Sequence, residues 1–172
     1  MLLEMLNQGI INHNRVEFRP NTLYHEDNLV VLRDCFPIEC VDLIYLDPPF
    51  NSKADYNVLF KEKTGEESAA QMRAFTDFWK WDVESKHAYN YLINNSPERV
   101  SNLVVAFHDS LGKSDMLAYV VMICIRLLEL HRVLKSTGSI FLHCDTTASH
   151  YLKMLMDSIF GVNNFRNDII WK

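Results

Sequence analysis

The feature that most constrains the fold is an apolar stretch that stops abruptly at two prolines. Residues 41–46 have the sequence Val-Asp-Leu-Ile-Tyr-Leu, and Asp47, Pro48, Pro49 and Phe50 follow directly. An apolar run of this length, rich in β-branched and aromatic side chains, is typical of a buried parallel strand. Proline fixes φ and has no N–H to donate, so the strand must end there in a rigid corner. We therefore expect a buried sheet in which one strand ends at the carboxylate of Asp47, in a rigid turn.

The rest of the sequence alternates between strand-like and helix-like segments. Strands are predicted at residues 22–25, 41–46, 139–144 and 167–171, and helices at residues 28–35, 84–93, 97–111, 114–134 and 146–160. Candidate helix N-caps are Asp27, Ser114 or Asp115, and Thr146 or Thr147. The polar and aromatic stretch 51–111 is too long for a plain loop, which is why helices are expected within it. This alternation indicates an α/β domain with a mostly parallel sheet.

Composition and charge exclude several classes of protein. Hydrophobic residues make up 48% of the chain and charged residues 23%, as in ordinary globular proteins and unlike disordered or collagen-like chains. The longest uninterrupted apolar run, residues 116–125, is well short of the roughly 20 residues that span a membrane. Glu4 lies where a secretory signal would carry positive charge, so an intracellular protein is expected. The net charge is −5, whereas a protein that binds DNA by itself usually has an excess of Lys and Arg.

Cysteine and glycine spacing argue against two common kinds of site. The four cysteines form no C-x-x-C pair, so we expect reduced core thiols and no metal centre. The five glycines are too far apart to build a phosphate-binding G-x-G-x-x-G turn. These glycines are Gly9, Gly65, Gly112, Gly138 and Gly161.

The corner at Asp47 carries the residues most suited to chemistry. A carbonyl oxygen at the proline corner and the carboxylate beside it offer two acceptors at one point, which suits an NH₂ group. The aromatic ring of Phe50 would suit a base lifted out of its stack. The alternative is a strand-ending Pro-Pro turn with a capping Asp47 and a core Phe50. In α/β sheets ligands bind beyond the carboxyl ends of strands, and Asp27, Asp47 and Asp145 are all predicted to lie at such ends.

With its flanking residues, this motif resembles the permuted, β-class amino-methyltransferases of DNA, in particular the type III and related adenine-N6 modification enzymes. The resemblance covers essentially everything after residue 20, in order. Besides Asp-Pro-Pro-Phe-Asn-Ser-Lys, it includes Asp-Tyr-Asn-Val-Leu-Phe at 55–60, Leu-His-Arg-Val-Leu-Lys-Ser-Thr-Gly-Ser-Ile at 130–140, Leu-His-Cys-Asp-Thr-Thr at 142–147 and Phe-Gly-Val-Asn-Asn-Phe-Arg-Asn-Asp-Ile-Ile-Trp-Lys at 160–172.

The resemblance implies a partial S-adenosylmethionine-dependent methyltransferase fold. This is a Rossmann-like, doubly wound sheet with a helical insertion at about residues 53–112. Residues 1–20 would form an N-terminal arm and residues 21–172 the catalytic half of the domain. The family's glycine-rich, donor-binding half is absent from the sequence, and its strands would leave a gap in the sheet. Unpaired edges and an exposed apolar face are therefore expected.

The resemblance also implies roles for individual residues of the corner. Asp47 and the carbonyl of Pro48 would accept hydrogen bonds from the exocyclic N6 of a flipped adenine, with Pro49 completing the rigid turn and Phe50 stacking on the base. Aspartate at the first position of this motif favours adenine, because the cytosine-N4 enzymes mostly carry serine there.

Four further residues have two open interpretations each. Asp27 either contacts the adenine ring of the methyl donor or caps a helix. His143 and Asp145 either face the cleft or end a strand with local hydrogen bonds. Lys53 either meets a DNA phosphate or is a solvated surface lysine.

The function expected from the resemblance is site-specific methylation of DNA at adenine N6, with S-adenosylmethionine as donor and without a metal. Double-stranded DNA would be the substrate, and a C-terminal methyltransferase half and a restriction subunit would be partners, in the bacterial cytoplasm at the nucleoid. Because the donor-binding half is missing, we expect a truncated chain that is inactive alone. The alternatives are a non-catalytic remnant or interaction fragment of a restriction-modification system and, within the same class, a cytosine-N4 methyltransferase.

Overall fold

Helices and two short sheets alternate along the chain in a computed structural model that describes residues 18–49, 55–57, 73–76 and 79–170. For residues 55–57 and 73–76 only the backbone is described. The elements are α1 (Asn28–Cys35), β1 (Val41–Leu46), β2 (Asp55–Asn57), β3 (Arg73–Thr76), α2 (Val83–Asn95), α3 (Glu98–Leu111), α4 (Asp115–Val133), β4 (Leu134–Leu142) and α5 (Ser149–Phe160).

The predicted parallel pairing is present between β1 and β4. Leu43 lies opposite Ser139, and Leu46 opposite Leu142. The other described strands, β2 and β3, form a separate antiparallel pair. The α/β class is thus compatible with the structure, whereas a doubly wound sheet is not seen among the described residues. The stretch between β1 and α2 also contains strands where only helices were predicted.

A bulge near the start of β4 sets the register of this pair. Val41 pairs with Leu134, but Leu43 already pairs with Ser139, so residues 135–138 lie opposite Asp42 alone. A Cβ at Gly138 would lie 2.6 Å from Leu134 Cδ1 and 3.0 Å from the main-chain oxygen of Asp42. Glycine suits this position because a Cβ would displace the Leu134 side chain of the same strand and press against the Asp42 carbonyl of the neighbouring strand.

The two faces of the β1–β4 sheet differ in their covering. Ile44 points into the core and is buried, whereas Leu43, Tyr45 and Phe141 are 60%, 67% and 44% exposed. Side chains alternate between the two faces of a strand, so these three share the opposite face from Ile44. Among the described residues, helices cover one face only, and each strand has one unpaired edge. Two uncovered sheet edges and an apolar open face leave a surface suited to further packing.

Helix α4 is the centre of the core. Its sequence is apolar on nearly every side, and Tyr119, Leu127 and Val133 are fully buried. A helix that is hydrophobic all round must be enclosed by other elements. Helices α1, α2, α3 and α5 all pack against it.

Three predicted helix ends are confirmed, two by hydrogen bonds and one by its backbone conformation. The Asp27 carboxylate accepts from the N–H of Leu29 at 2.8 Å and starts α1. The Ser114 hydroxyl accepts from the N–H of Leu117 at 3.2 Å and starts α4. Helix α5 ends at Gly161, whose φ of 92° suits a residue without a Cβ.

Several predicted boundaries are wrong. Residues 22–25 and 167–170 form no strand, because strand structure needs a hydrogen-bonded neighbour and none lies beside them in the described structure. Strand β4 spans Leu134–Leu142 rather than 139–144, since the bulge absorbs residues predicted to be a turn. Neither Thr146 nor Thr147 caps α5, which begins at Ser149.

All four cysteines are free thiols. Cys124 is buried, and Cys35, Cys40 and Cys144 are half-buried. Burial raises the pKa of the Cys124 thiol to about 12, so it stays protonated as a small core side chain.

A guanidinium fork joins α1 to α4. The Arg132 Nη2 donates to the carbonyl of Leu32 at 2.7 Å, and its Nη1 donates to the carbonyl of Phe36 at 3.0 Å. Its Nε donates to Glu129 at 2.7 Å. The last carbonyls of a helix have no intrahelical donor, so Arg132 satisfies groups that α1 would otherwise leave to water.

Replacing Arg132 with alanine should lower the free energy of unfolding by about 1–2 kcal/mol, because two carbonyls and Glu129 lose a charged donor that is only partly exposed. Urea unfolding followed by circular dichroism would measure this. The control is Arg19→Ala, at an exposed position before α1. Equal stability of the two variants would contradict the assignment.

Replacing Gly138 with alanine should lower the free energy of unfolding by about 1–3 kcal/mol, because the new methyl group would press against Leu134 and the Asp42 carbonyl. The neighbouring exposed change Ser139→Ala is the control. A Gly138→Ala protein that unfolds at the same urea concentration as the control would show that the bulge can widen.

Candidate active site at the carboxyl ends of the parallel strands

Parallel pairing brings Asp47 and His143 together. Asp47 directly follows β1 and His143 directly follows β4, and the main-chain N–H of His143 donates to the carbonyl of Leu46 at 2.8 Å. The His143 Nδ1 lies 3.1 Å from Asp47 Oδ1. The two side chains are 43% and 63% exposed respectively, so the pair faces solvent at the sheet edge.

Among the described residues, a single oxygen of the Asp47 carboxylate has a hydrogen-bond partner. Oδ1 is engaged by His143, whereas no donor to Oδ2 is seen in the described part of the chain. Pro48 and Pro49 follow as a half-buried corner that has no N–H to compete for that oxygen. The predicted site residues Phe50 and Lys53 lie outside the described residues.

Asp145 lies near the same strand end but makes local hydrogen bonds. Its Oδ1 accepts from the N–H groups of Thr147 and Ala148, both at 3.1 Å. These bonds shape the turn that leads into α5. The local hydrogen bonds of Asp145 are thus observed, whereas a role of Asp145 or His143 in a binding cleft stays a prediction.

Asp27 is held from two sides. Besides capping α1, its carboxylate receives Arg126 Nη2 at 3.1 Å on Oδ1 and 2.9 Å on Oδ2. The Arg126 Nε also donates to Asn28 Oδ1 at 2.8 Å. The side chain of Asp27 is still 46% exposed. The helix cap is observed, and a contact of Asp27 with a methyl donor stays a prediction.

Neither the ion pair of Arg126 with Asp27 nor the pairing of His143 with Asp47 was predicted from the sequence. Arg126 closes the apolar run at 116–125, and a lone cation at that place was a signal for an acidic partner. The pairing with Asp47 could have been predicted only from the strand register, which depends on the bulge.

An apolar groove of about 320 Å³ lies between α1 and β1. Tyr24, Val31 and Phe36 line it from the helical side, and Leu43 and Tyr45 from the strand. The groove thus continues the exposed apolar face of the sheet.

Metal-binding clusters and membrane-spanning helices are both absent from the described residues. No group of three or more His, Cys, Asp or Glu side chains in the described ranges is arranged to hold a metal ion. None of the helices in the described part of the chain has the length and apolar character to cross a membrane.

A family model for N6/N4 methyltransferases, described as DNA methylase, matches residues 41–172. The chain belongs to this DNA methylase family. The match begins at the first residue of β1 and includes Asp47, His143 and the helices that support them.

Relatives with curated names are Mod subunits of type III restriction-modification enzymes. The StyLTI Mod subunit of Salmonella typhimurium is 28% identical over 85% of this chain and 19% of its own length. The EcoP15I Mod subunit of Escherichia coli is 27% identical over 93% of this chain and 22% of its own length. The EcoPI Mod subunit of Escherichia phage P1 is 27% identical over 89% and 21%. The chain spans about a fifth of the length of these relatives.

Replacing Asp27 with alanine should lower the free energy of unfolding by about 1–2 kcal/mol, through loss of the cap and of a half-exposed ion pair. Asp27→Asn keeps a capping oxygen and should lose less than half as much. Urea unfolding of both variants measures the difference. Equal losses would assign the stabilisation to the pair with Arg126 instead of the cap.

Proposed function

We propose that this chain forms the base-binding part of a DNA methyltransferase that transfers a methyl group to adenine N6. Family membership and the type III Mod relatives support the reaction class. The observation that carries the proposal is the Asp47 carboxylate, exposed at the carboxyl end of β1, held through one oxygen and followed by two prolines. Such an arrangement suits an amine that must be held still.

The chemistry asked of these residues is positioning. The lone pair of an adenine amine is delocalised into the ring. Hydrogen-bond acceptors placed at its N–H groups increase the electron density on the amine nitrogen. Asp47 Oδ2 and the carbonyl of Pro48 would be those acceptors, and Phe50 would stack on the flipped base. S-adenosylmethionine, when bound, would supply an electrophilic methyl group. Most of the rate would come from alignment, so Asp47 need not be a strong base.

The described residues fit the base better than they fit the methyl donor. Both carboxylate oxygens of Asp27 are engaged by Arg126, although part of the group remains exposed. The described glycines lie at the ends of α3 and α5 and in the β4 bulge, where none can form a glycine-rich cradle. Asp27 is thus retained as a candidate donor contact, and the main donor loop has to come from elsewhere.

We also propose where the donor-binding half docks. The groove beside α1, the free edge of β1 and the exposed Leu43 and Tyr45 form one apolar surface. A donor-binding half, on the same polypeptide or on a second chain, would pair with this edge and cover this face. The relatives are about five times longer than the segment they share with this chain, which leaves room for such a half.

The remaining partners follow from the relatives. Double-stranded DNA would be the substrate, and a restriction subunit would associate with the completed enzyme, as the names of the restriction-modification relatives suggest. The protein would act in the bacterial cytoplasm, where the DNA lies.

The decisive experiment measures transfer of labelled methyl groups from S-adenosylmethionine to unmethylated bacterial DNA. The chain would be assayed alone and mixed with the remaining C-terminal part of the EcoP15I Mod subunit. We expect N6-methyladenine in the mixture only. Asp47→Ala should lower the rate about 100-fold, because the acceptor that aligns the amine is lost. The matched control is Asp42→Ala, at the opposite end of β1, where the carboxylate pairs with Lys135.

Other outcomes would decide between the alternatives. Transfer by the chain alone would contradict the need for a donor-binding half. Methyl groups on cytosine N4 instead of adenine would identify the within-class alternative. Failure of both arms, with no binding of the donor, would support a non-catalytic interaction fragment of a restriction-modification system.

A further inference from the structure

We propose that His143 is a positioning residue for Asp47, a role that rests on the function proposed above. The inference is that His143 donates its Nδ1–H to Asp47 Oδ1 and fixes the rotation of the carboxylate. Oδ2 is then the one oxygen presented to the amine. His143 itself need not touch the base.

The protonation of the pair follows from its geometry. The Asp47 Oδ1 and the His143 Nδ1 are 3.1 Å apart, which is hydrogen-bond distance. An ionised carboxylate can only accept, so the proton between the two atoms must belong to the ring nitrogen. The neutral imidazole is thereby committed to its Nδ1–H form, as opposed to the Nε2–H form.

Main-chain bonds fix the separation of the two residues. The N–H of His143 donates to Leu46, and Leu46 pairs with Leu142 in the parallel register. Each side chain therefore starts from a Cα whose place the sheet determines. A site on strand ends holds its side chains more precisely than a site on a flexible loop.

Exposure separates a positioning role from a stabilising one. With the Asp47 side chain 63% exposed and the His143 side chain 43% exposed, water screens the pair, and such contacts add little to folding stability. An exposed carboxylate without a partner rotates freely and presents either oxygen. Loss of His143 should therefore leave the fold intact and disturb the alignment of Asp47.

The first test reads the imidazole directly, without any methyl transfer. Two-dimensional ¹H–¹⁵N NMR of the ring nitrogens, at about pH 9 where histidine is ordinarily neutral, distinguishes the two tautomers. We expect the Nδ1–H form in the wild-type chain and a loss of this preference for Nδ1–H in Asp47→Ala. Asp42→Ala, on the same strand, should leave the tautomer unchanged. An Nε2–H form in the wild-type chain would overturn the proposal.

The second test uses two amide replacements in the completed enzyme. Asparagine can place an N–H near the position of Nδ1, whereas the longer glutamine places it near Nε2. We expect His143→Asn to keep kcat within about 3-fold and His143→Gln to lower it about 10-fold, with little change in KM for DNA. Both variants should unfold at the wild-type urea concentration. Equal kcat values for the two variants would overturn the positioning role.

The two tests separate this proposal from the proposed function. If the completed wild-type enzyme transfers no methyl group, the function fails, and the tautomer still decides whether His143 orients Asp47. If methyl transfer is normal but the ring is Nε2–H, the function stands and the role of His143 is wrong.

Discussion

The hydrogen-bonded register between β1 and β4 is the constraint on which the site depends. Parallel strands end at the same edge of a sheet, so the residues that follow them meet only if the strands pair in the correct register. The bulge opposite Asp42 shifts this register, and Gly138 permits the close approach that the bulge requires. One residue more or less in the bulge would place a different side chain beside Asp47, because side-chain direction alternates along a strand.

The energetic support for this sheet comes from one side. Helix α4 fills the core with fully buried side chains and is tied to α1 by Arg132, so the inner face of β1 rests on a packed layer. The outer face carries Leu43 and Tyr45 in the open. The described elements thus hold the candidate site from beneath and leave the opposite side of the sheet available for further chain.

Much of the local structure was predictable, because it depends on nearby residues. The helix at 28–35 with its Asp27 cap, the strand at 41–46 and the buried helix after Ser114 follow from caps and periodicity over a few positions. The predicted strands at 22–25 and 167–171 failed for the opposite reason, since an extended segment becomes a strand only beside a partner. The roles proposed for Asp47 and Asp27 came from family resemblance, and family membership is confirmed.

The sequence by itself determined which residues could do chemistry: a carboxylate before two prolines, at the end of an apolar strand. Composition and spacing also determined that the chain has a packed core and lacks a glycine-rich loop. Only the tertiary structure decided how these residues are used. It brought His143 within hydrogen-bond distance of Asp47 and paired Arg126 with Asp27. It also showed that Asp145 accepts hydrogen bonds within its own turn. The contacts of His143 with Asp47 and of Arg126 with Asp27 join residues 96 and 99 positions apart, and no local pattern encodes a contact that strand register and helix packing create.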